Sequence, residues 1–152
     1  MVIRWYLEIV NYKKNDVVFN EHDYCETVGY VIKGKIKIST ITGEENEYVI
    51  NLLKEDEIFG DLLVFSSNPN YYGIAVTTEY TQVAYISKNK LLTLFKEDIS
   101  MLSSFLKIIT DKGVHLKQLN KMYAHKNIEE RIMYYLNHVA NKSSDGLIYF
   151  KK

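Results

Sequence analysis

The sequence predicts a mainly β chain with C-terminal helices: an antiparallel sandwich or barrel first, then helical segments. Two observations carry this. From about Tyr12 to Ser87 short β-rich runs alternate with turn signals, at the 8–12-residue spacing of sandwiches and barrels. After Ser87 the apolar period lengthens from two residues to three or four, which is the helical repeat.

In the first part, "YVIKGKIKIST" (30–40) alternates Ile36 and Ile38 with Lys35 and Lys37, the pattern of a half-buried strand. Gly34 interrupts it and marks a bend or bulge. "TGEENE" (42–47) reads as a polar hairpin tip, "YVINLL" (48–53) as the returning strand and "KEDE" (54–57) as a further turn. "GIAVTTEYTQVAYIS" (73–87) supplies two more β-rich runs.

Ser87 can cap a short helix over 88–97. Residues 98–124 then read as one long helix, in which Leu102, Ile109, Leu116 and Tyr123 recur every seven residues with Phe105 and Leu119 on the same stripe. Lys112 and Gly113 interrupt the middle, the glycine at a cost of about 1 kcal/mol relative to alanine. A helix of roughly 40 Å would overhang a β domain of this size. The stripe is therefore expected to form the seam of a parallel homodimer. "HKN" (His125, Lys126, Asn127) breaks the pattern. Asn127 with Glu130 makes a capping-box variant that starts another helix over 128–140. "LIYFKK" reads as the first part of a strand. The expected divisions are 1–97, 98–126 and 127–152.

Composition narrows the function classes. The chain has 152 residues with 47% hydrophobic and 25% charged side chains, enough for a core. No apolar run is long enough to span a membrane, so no membrane partner is expected, and "MVIRWYLEIV" lacks a signal-peptide pattern. The single cysteine, Cys25, fits a reducing, cytoplasmic setting, and the acidic residues around it raise its pKa rather than activate it. The zero net charge hides an asymmetry. Residues 1–106 hold 10 Lys+Arg against 15 Asp+Glu, and residues 107–152 hold 9 against 4, which places a nucleic-acid partner at the basic end if anywhere.

Motifs for enzymatic chemistry are missing: there is no phosphate-loop, dinucleotide, nucleophile-elbow or H-E-x-x-H pattern. The four histidines (22, 115, 125, 138) form no H-x-H pair and three of them read as helical, so no metal, cofactor or catalytic residue is assigned. One segment remains. In "IFGDLLVFSSNPNYYGIAV" (58–76), Gly60-Asp61-Leu62-Leu63 can form one helical turn after a strand, with free N–H groups facing an anion. Asp61 could accept hydrogen bonds from sugar hydroxyls. Tyr71, Tyr72 and Gly73 follow ten residues later.

The order of "GYVIKGKIKI" (29–38), "YVINLLKEDEIFGDLLVF" (48–65), "TQVAYISKNKLLTLF" (81–95), the long helix and "NIEERIMYYL" (127–136) resembles the catabolite-activator/FNR family of bacterial transcription regulators. The resemblance covers about residues 6 to 152. It implies a double-stranded β-helix (a jelly roll) for a small effector, a long dimerisation helix, a hinge at His125, Lys126 and Asn127, and a winged helix-turn-helix. It also implies DNA as partner through that last domain, and RNA polymerase as a further one. The chain ends at Lys152, where the resemblance leads into the helix-turn-helix, so it is expected to be the sensor and dimerisation part of a longer regulator.

A second departure concerns the effector. Cyclic-nucleotide-binding members look like G-E-[LI]…R-[ST]-A. Here Gly60, Asp61 and Leu62 stand at the first positions, and Tyr71, Tyr72 and Gly73 at the last. A guanidinium gives a charge-assisted forked contact to phosphate, whereas a phenol is neutral and donates one hydrogen bond. Losing a charged partner costs about 1.5–3 kcal/mol, so cyclic AMP is not the expected ligand and the effector stays unnamed. The pocket Gly60, Asp61, Leu62, Leu63, Tyr71, Tyr72 and Gly73 is expected to be re-specified or plugged by tyrosine. The alternatives are a stand-alone cyclic-nucleotide-type sensor acting on a partner protein and a cupin-like enzyme, which the missing metal-ligand histidines disfavour.

Overall fold

A computed structural model describes residues 7–43 and 46–139. Eight strands and three helices follow in order: β1 Glu8–Tyr12, β2 Val17–Phe19, β3 Thr27–Lys33, β4 Ile36–Thr42, β5 Asn46–Leu53, β6 Ile58–Phe59, β7 Ile74–Thr77, β8 Thr81–Ser87, α1 Lys88–Glu97, α2 Ile99–Tyr123 and α3 Ile128–His138. The chain divides into two compact units, Met1–Ile99 and Ser100–Lys152. The expected final strand, "LIYFKK", lies outside the described residues.

The first unit is a jelly roll of two four-stranded antiparallel sheets, ordered β1-β8-β3-β6 and β2-β7-β4-β5. Alternation places one side of each strand inward. Val31, Ile36, Ala75 and Val83 are completely buried, and Val64 and Leu53 nearly so. The run read as a single strand around Gly34 is two strands in different sheets. Gly34 adopts φ +92°, and a Cβ there would lie 2.5 Å from Thr81 Oγ1. Only glycine accepts both that backbone angle and that proximity, so the chain can pass from one sheet to the other. The hairpin tip is shorter than expected, since β4 runs to Thr42 and β5 restarts at Asn46. β5 is an edge strand with a register shift against Ile38/Ser39. Tyr48, Val49, Ile50 and Leu52 remain exposed along it and only Leu53 is buried.

α1 closes this unit. Ser87 is its N-cap, accepting from the Lys90 amide as its sequence suggests, and Leu91, Leu94 and Phe95 are its buried face. Asp98, read as the start of the long helix, instead ends α1 by donating its N–H to the Leu94 carbonyl at 2.8 Å.

In the second unit, α2 is a continuous 25-residue helix without a buried residue, and α3 likewise has none. Asn127 caps α3, its Oδ1 accepting from the Glu130 amide at 2.8 Å. Its Nδ2 donates to Glu130 Oε1 at 3.0 Å. The glutamate thus returns to the cap side chain, where the usual capping box uses the cap backbone. No helix among the described residues is long and apolar enough to cross a membrane.

Candidate effector site

The site is built where β6 ends. β6 pairs with β3 through Gly29↔Phe59 and Tyr30↔Ile58. Gly29 leaves room for the Phe59 ring, whose nearest atom would be 2.2 Å from an added Cβ. The chain then turns at Gly60 with φ +76°, where a Cβ would meet the Thr27 carbonyl oxygen at 2.6 Å. The Leu63 and Val64 amides donate to the Gly60 carbonyl at 3.1 and 2.9 Å, closing the helical turn that the sequence suggests. Asp61 and Val64 are buried, whereas Leu62 is exposed and Leu63 is half-buried.

The second half of the site comes from the 69–73 segment. Pairing with residues 22–25 fixes it in place. The Cys25 amide donates to the Pro69 carbonyl (2.7 Å), the Tyr71 amide to the Asp23 carbonyl (3.0 Å) and the His22 amide to the Tyr71 carbonyl (2.9 Å). His22 adopts φ +70° to make this turn.

The two tyrosines diverge. Tyr72 is 64% exposed, while Tyr71 points inward and is 8% exposed. The Tyr71 ring stacks on Phe19, with centroids 3.6 Å apart and planes at 10°. Phe19 also meets Phe59 at 5.9 Å, and Phe59 meets the Tyr85 ring edge-on at 5.9 Å. Tyr85 and Tyr12 join hydroxyls at 2.8 Å. The Tyr71 hydroxyl oxygen lies 3.3 Å from where a Cβ on Gly60 would stand. It therefore lies against the open side of the Gly60 backbone, which a side chain at 60 would occupy.

Cys25 shares that space. Its buried thiol faces the Thr27 and Gly60 carbonyls at 3.3 and 3.6 Å and lies beside the Tyr71 hydroxyl. Burial is the main cause that raises the Cys25 pKa, with a smaller push from the Asp61 carboxylate. Burial also raises the Tyr71 pKa well above the usual phenol value, and the contact with Cys25 adds to it. Both groups are therefore uncharged at neutral pH. The Cys25 thiol thus stands between two main-chain carbonyls and the Tyr71 hydroxyl.

The Gly60 backbone, the Cys25 thiol and the Tyr71 hydroxyl come together, whereas Gly73 faces Ser39 and Ile50. Leu62 and Tyr72 face outward. Phe19 and Cys25 are the participants that sequence reading missed. Phe19 lies 52 positions from Tyr71 and carries no local signal. Cys25, flanked by polar residues, gives no hint that its thiol is 1% exposed. Among the described residues no group of three His, Cys, Asp or Glu could hold a metal.

In the second unit, Leu102, Phe105, Ile109 and Leu119 are half-buried, while Leu116 and Tyr123 are 50% and 62% exposed. His125, in the segment expected to break the helical pattern, lies between α2 and α3. Its carbonyl accepts from Arg131 Nε at 2.9 Å, and its Nδ1 lies 3.7 Å from Glu130 Oε2. Together with the Asn127 cap, these contacts define the junction at which the hinge was expected.

Residues 9–98 match a protein family described as cyclic nucleotide-binding domain. The chain is 23% identical over 131 residues to a global nitrogen regulator of Nostoc sp., in a match covering 84% of this chain and 58% of that protein. It is 24% identical over 107 residues to an anaerobic regulatory protein of Bacillus subtilis, covering 70% and 44% respectively. The chain therefore spans about half the length of these curated relatives. Among solved structures, a transcriptional regulator from Thermotoga maritima superposes with a TM-score of 0.73 at 21% identity, over 80% of this chain and 94% of that one. With the jelly roll, the Gly60 turn and the matched span in agreement, this chain belongs to the cyclic nucleotide-binding domain family.

Proposed function

We propose that this chain is the sensor and dimerisation part of a transcription regulator of the catabolite-activator/FNR type, with a pocket occupied by its own Tyr71. The observation that carries this reading is the position of the Tyr71 ring, stacked on Phe19 with its hydroxyl over Gly60. A cyclic nucleotide phosphate would have to displace that ring and would find no guanidinium at 71 to replace its hydration. The relatives named as global nitrogen and anaerobic regulators support the regulatory role. DNA binding then belongs to the full-length protein, and RNA polymerase is a further partner.

Dimerisation through α2 is supported by its stripe, of which Leu116 and Tyr123 are exposed and no residue is fully buried. A 25-residue helix with no buried side chain and with Leu116 and Tyr123 exposed gains stability by burying that stripe against a second copy. Leu102, Phe105, Ile109, Leu116, Leu119 and Tyr123 form the proposed seam, and His125, Lys126 and Asn127 the proposed hinge.

Calorimetry of the purified chain with cyclic AMP and cyclic GMP at millimolar concentration tests the pocket. The expected result is no binding heat, and saturable binding of either nucleotide would reject the plug. The same titration addresses the second reading, a stand-alone cyclic-nucleotide sensor, which requires such binding. Native mass spectrometry then reports the oligomeric state together with any small molecule carried through purification.

A further inference from the structure

Tyr71 is held in the pocket by more than its own ring contacts. Two residues later, Gly73 passes against β4 so closely that a Cβ would lie 2.5 Å from the Ser39 carbonyl oxygen and 3.2 Å from the Ser39 carbonyl carbon. Ile50 Cδ1 stands 3.1 Å from the same point. Ile50 can rotate away, but Ser39 cannot. Its backbone is paired on both sides, to Ile74 of β7 and to Val49 of β5. Its side chain donates to Glu47 Oε1 at 2.7 Å, and Glu47 is paired with Lys37 at 2.6 Å. Ser39 itself is 1% exposed.

On its other flank, the segment is tied to the 22–25 loop through both main-chain groups of Tyr71. Residues 70–73 are thus clamped between that loop and β4, and a displacement at 73 is transmitted to 71 within two peptide units. We propose that Gly73 is a positioning residue for the plug: its missing side chain lets the segment close on Ser39 and so holds Tyr71 in the pocket. This rests on the reading of Tyr71 as a plug. The residue at 71 supplies the plugging group, and the residue at 73 decides whether that group can reach its place. The physical requirement is proximity alone, because Gly73 is not at a backbone angle reserved for glycine.

The test is native-state hydrogen exchange on wild type and Gly73→Ala. Exchange of the Tyr71 and His22 amides is expected to rise at least tenfold in the variant, with the β1–β8 amides unchanged. Unchanged exchange at Tyr71 and His22, or an equal rise throughout the β-roll, would overturn the proposal. A double-mutant cycle adds a readout that general destabilisation would not move. In a Tyr71→Ala background there is no ring for the segment to hold against Phe19, so adding Gly73→Ala should shift the denaturation midpoint less than it does in wild type. If Gly73→Ala does not fold, the comparison of Tyr71→Ala with Tyr71→Ala/Gly73→Ala still decides. Loss of folding in that double variant too would mean that the sheet itself demands glycine, and the proposal falls. Nucleotide binding by wild type would reject the plug reading and is measured separately, so the two failures are distinguishable.

Discussion

The Tyr71 ring lies flat on Phe19, 3.6 Å away and 10° from parallel, and both residues are buried. This pairing joins β2 to the loop before β7, two segments that are far apart in sequence and adjacent in the β2-β7-β4-β5 sheet. The stack also leaves the Tyr71 hydroxyl beside the Cys25 thiol. Tyr71 is consequently part of the hydrophobic core, and its removal carries the cost of a core deletion.

Tyr71→Ala is expected to destabilise the β-roll by about 3–5 kcal/mol, as for other buried aromatic truncations. Tyr71→Phe keeps the stack and loses only the hydroxyl contact with Cys25, a change of about 0.5–1.5 kcal/mol. Urea unfolding of the two variants checks the ratio. Equal losses would mean that the hydroxyl, and not the ring, holds the site.

Alkaline pH should weaken the fold through the buried phenols. Burial raises the Tyr71 pKa in the folded state, and burial with the Tyr12 contact raises that of Tyr85. Their contribution is complete below the unfolded value near 10 and is lost as pH rises from there toward the folded values. Above pH 10 each buried phenol should lower stability by about 1.4 kcal/mol per pH unit. Tyr71→Phe should make the decline shallower by one such share, measurable as denaturation midpoints between pH 9 and 11.

The α2 seam can be tested by charge. Ile109→Glu or Leu116→Lys places a charge inside the proposed interface, where an unpaired buried charge costs about 3 kcal/mol or more. Dimer dissociation should strengthen by at least roughly 100-fold, read by analytical ultracentrifugation. A wild-type chain that sediments as a monomer at micromolar concentration would remove the seam from the proposal.

Asn127→Ala should fray the start of α3 by about 1 kcal/mol, because the Glu130 amide loses its 2.8 Å acceptor. Amide exchange in residues 128–131 should accelerate about fivefold while the β-roll amides stay unchanged.

How much of this was legible in the sequence differs by element. The extent of α1 and its Ser87 cap could be read directly, because capping and a 3.6-residue apolar period are local properties. The Asn127–Glu130 cap and the long α2 were legible for the same reason. The split at Gly34 was not, since alternation continues across it and only the positive φ and the contact with Thr81 show that the strands belong to different sheets. In the site, Gly60 and Tyr71 could be named from order and spacing.

By itself, then, the sequence determined the local elements and the chemical character at 60–73: a turn, a carboxylate and phenols where a cation would serve a phosphate. Only the tertiary structure decided that Tyr71 turns inward while its neighbour Tyr72 turns out. It also brought Phe19, Cys25 and Ser39 to the site. The reason is physical. Local backbone preferences are encoded within a few residues, whereas which side chain fills a cavity depends on contacts between distant strands, and no short window of sequence contains them.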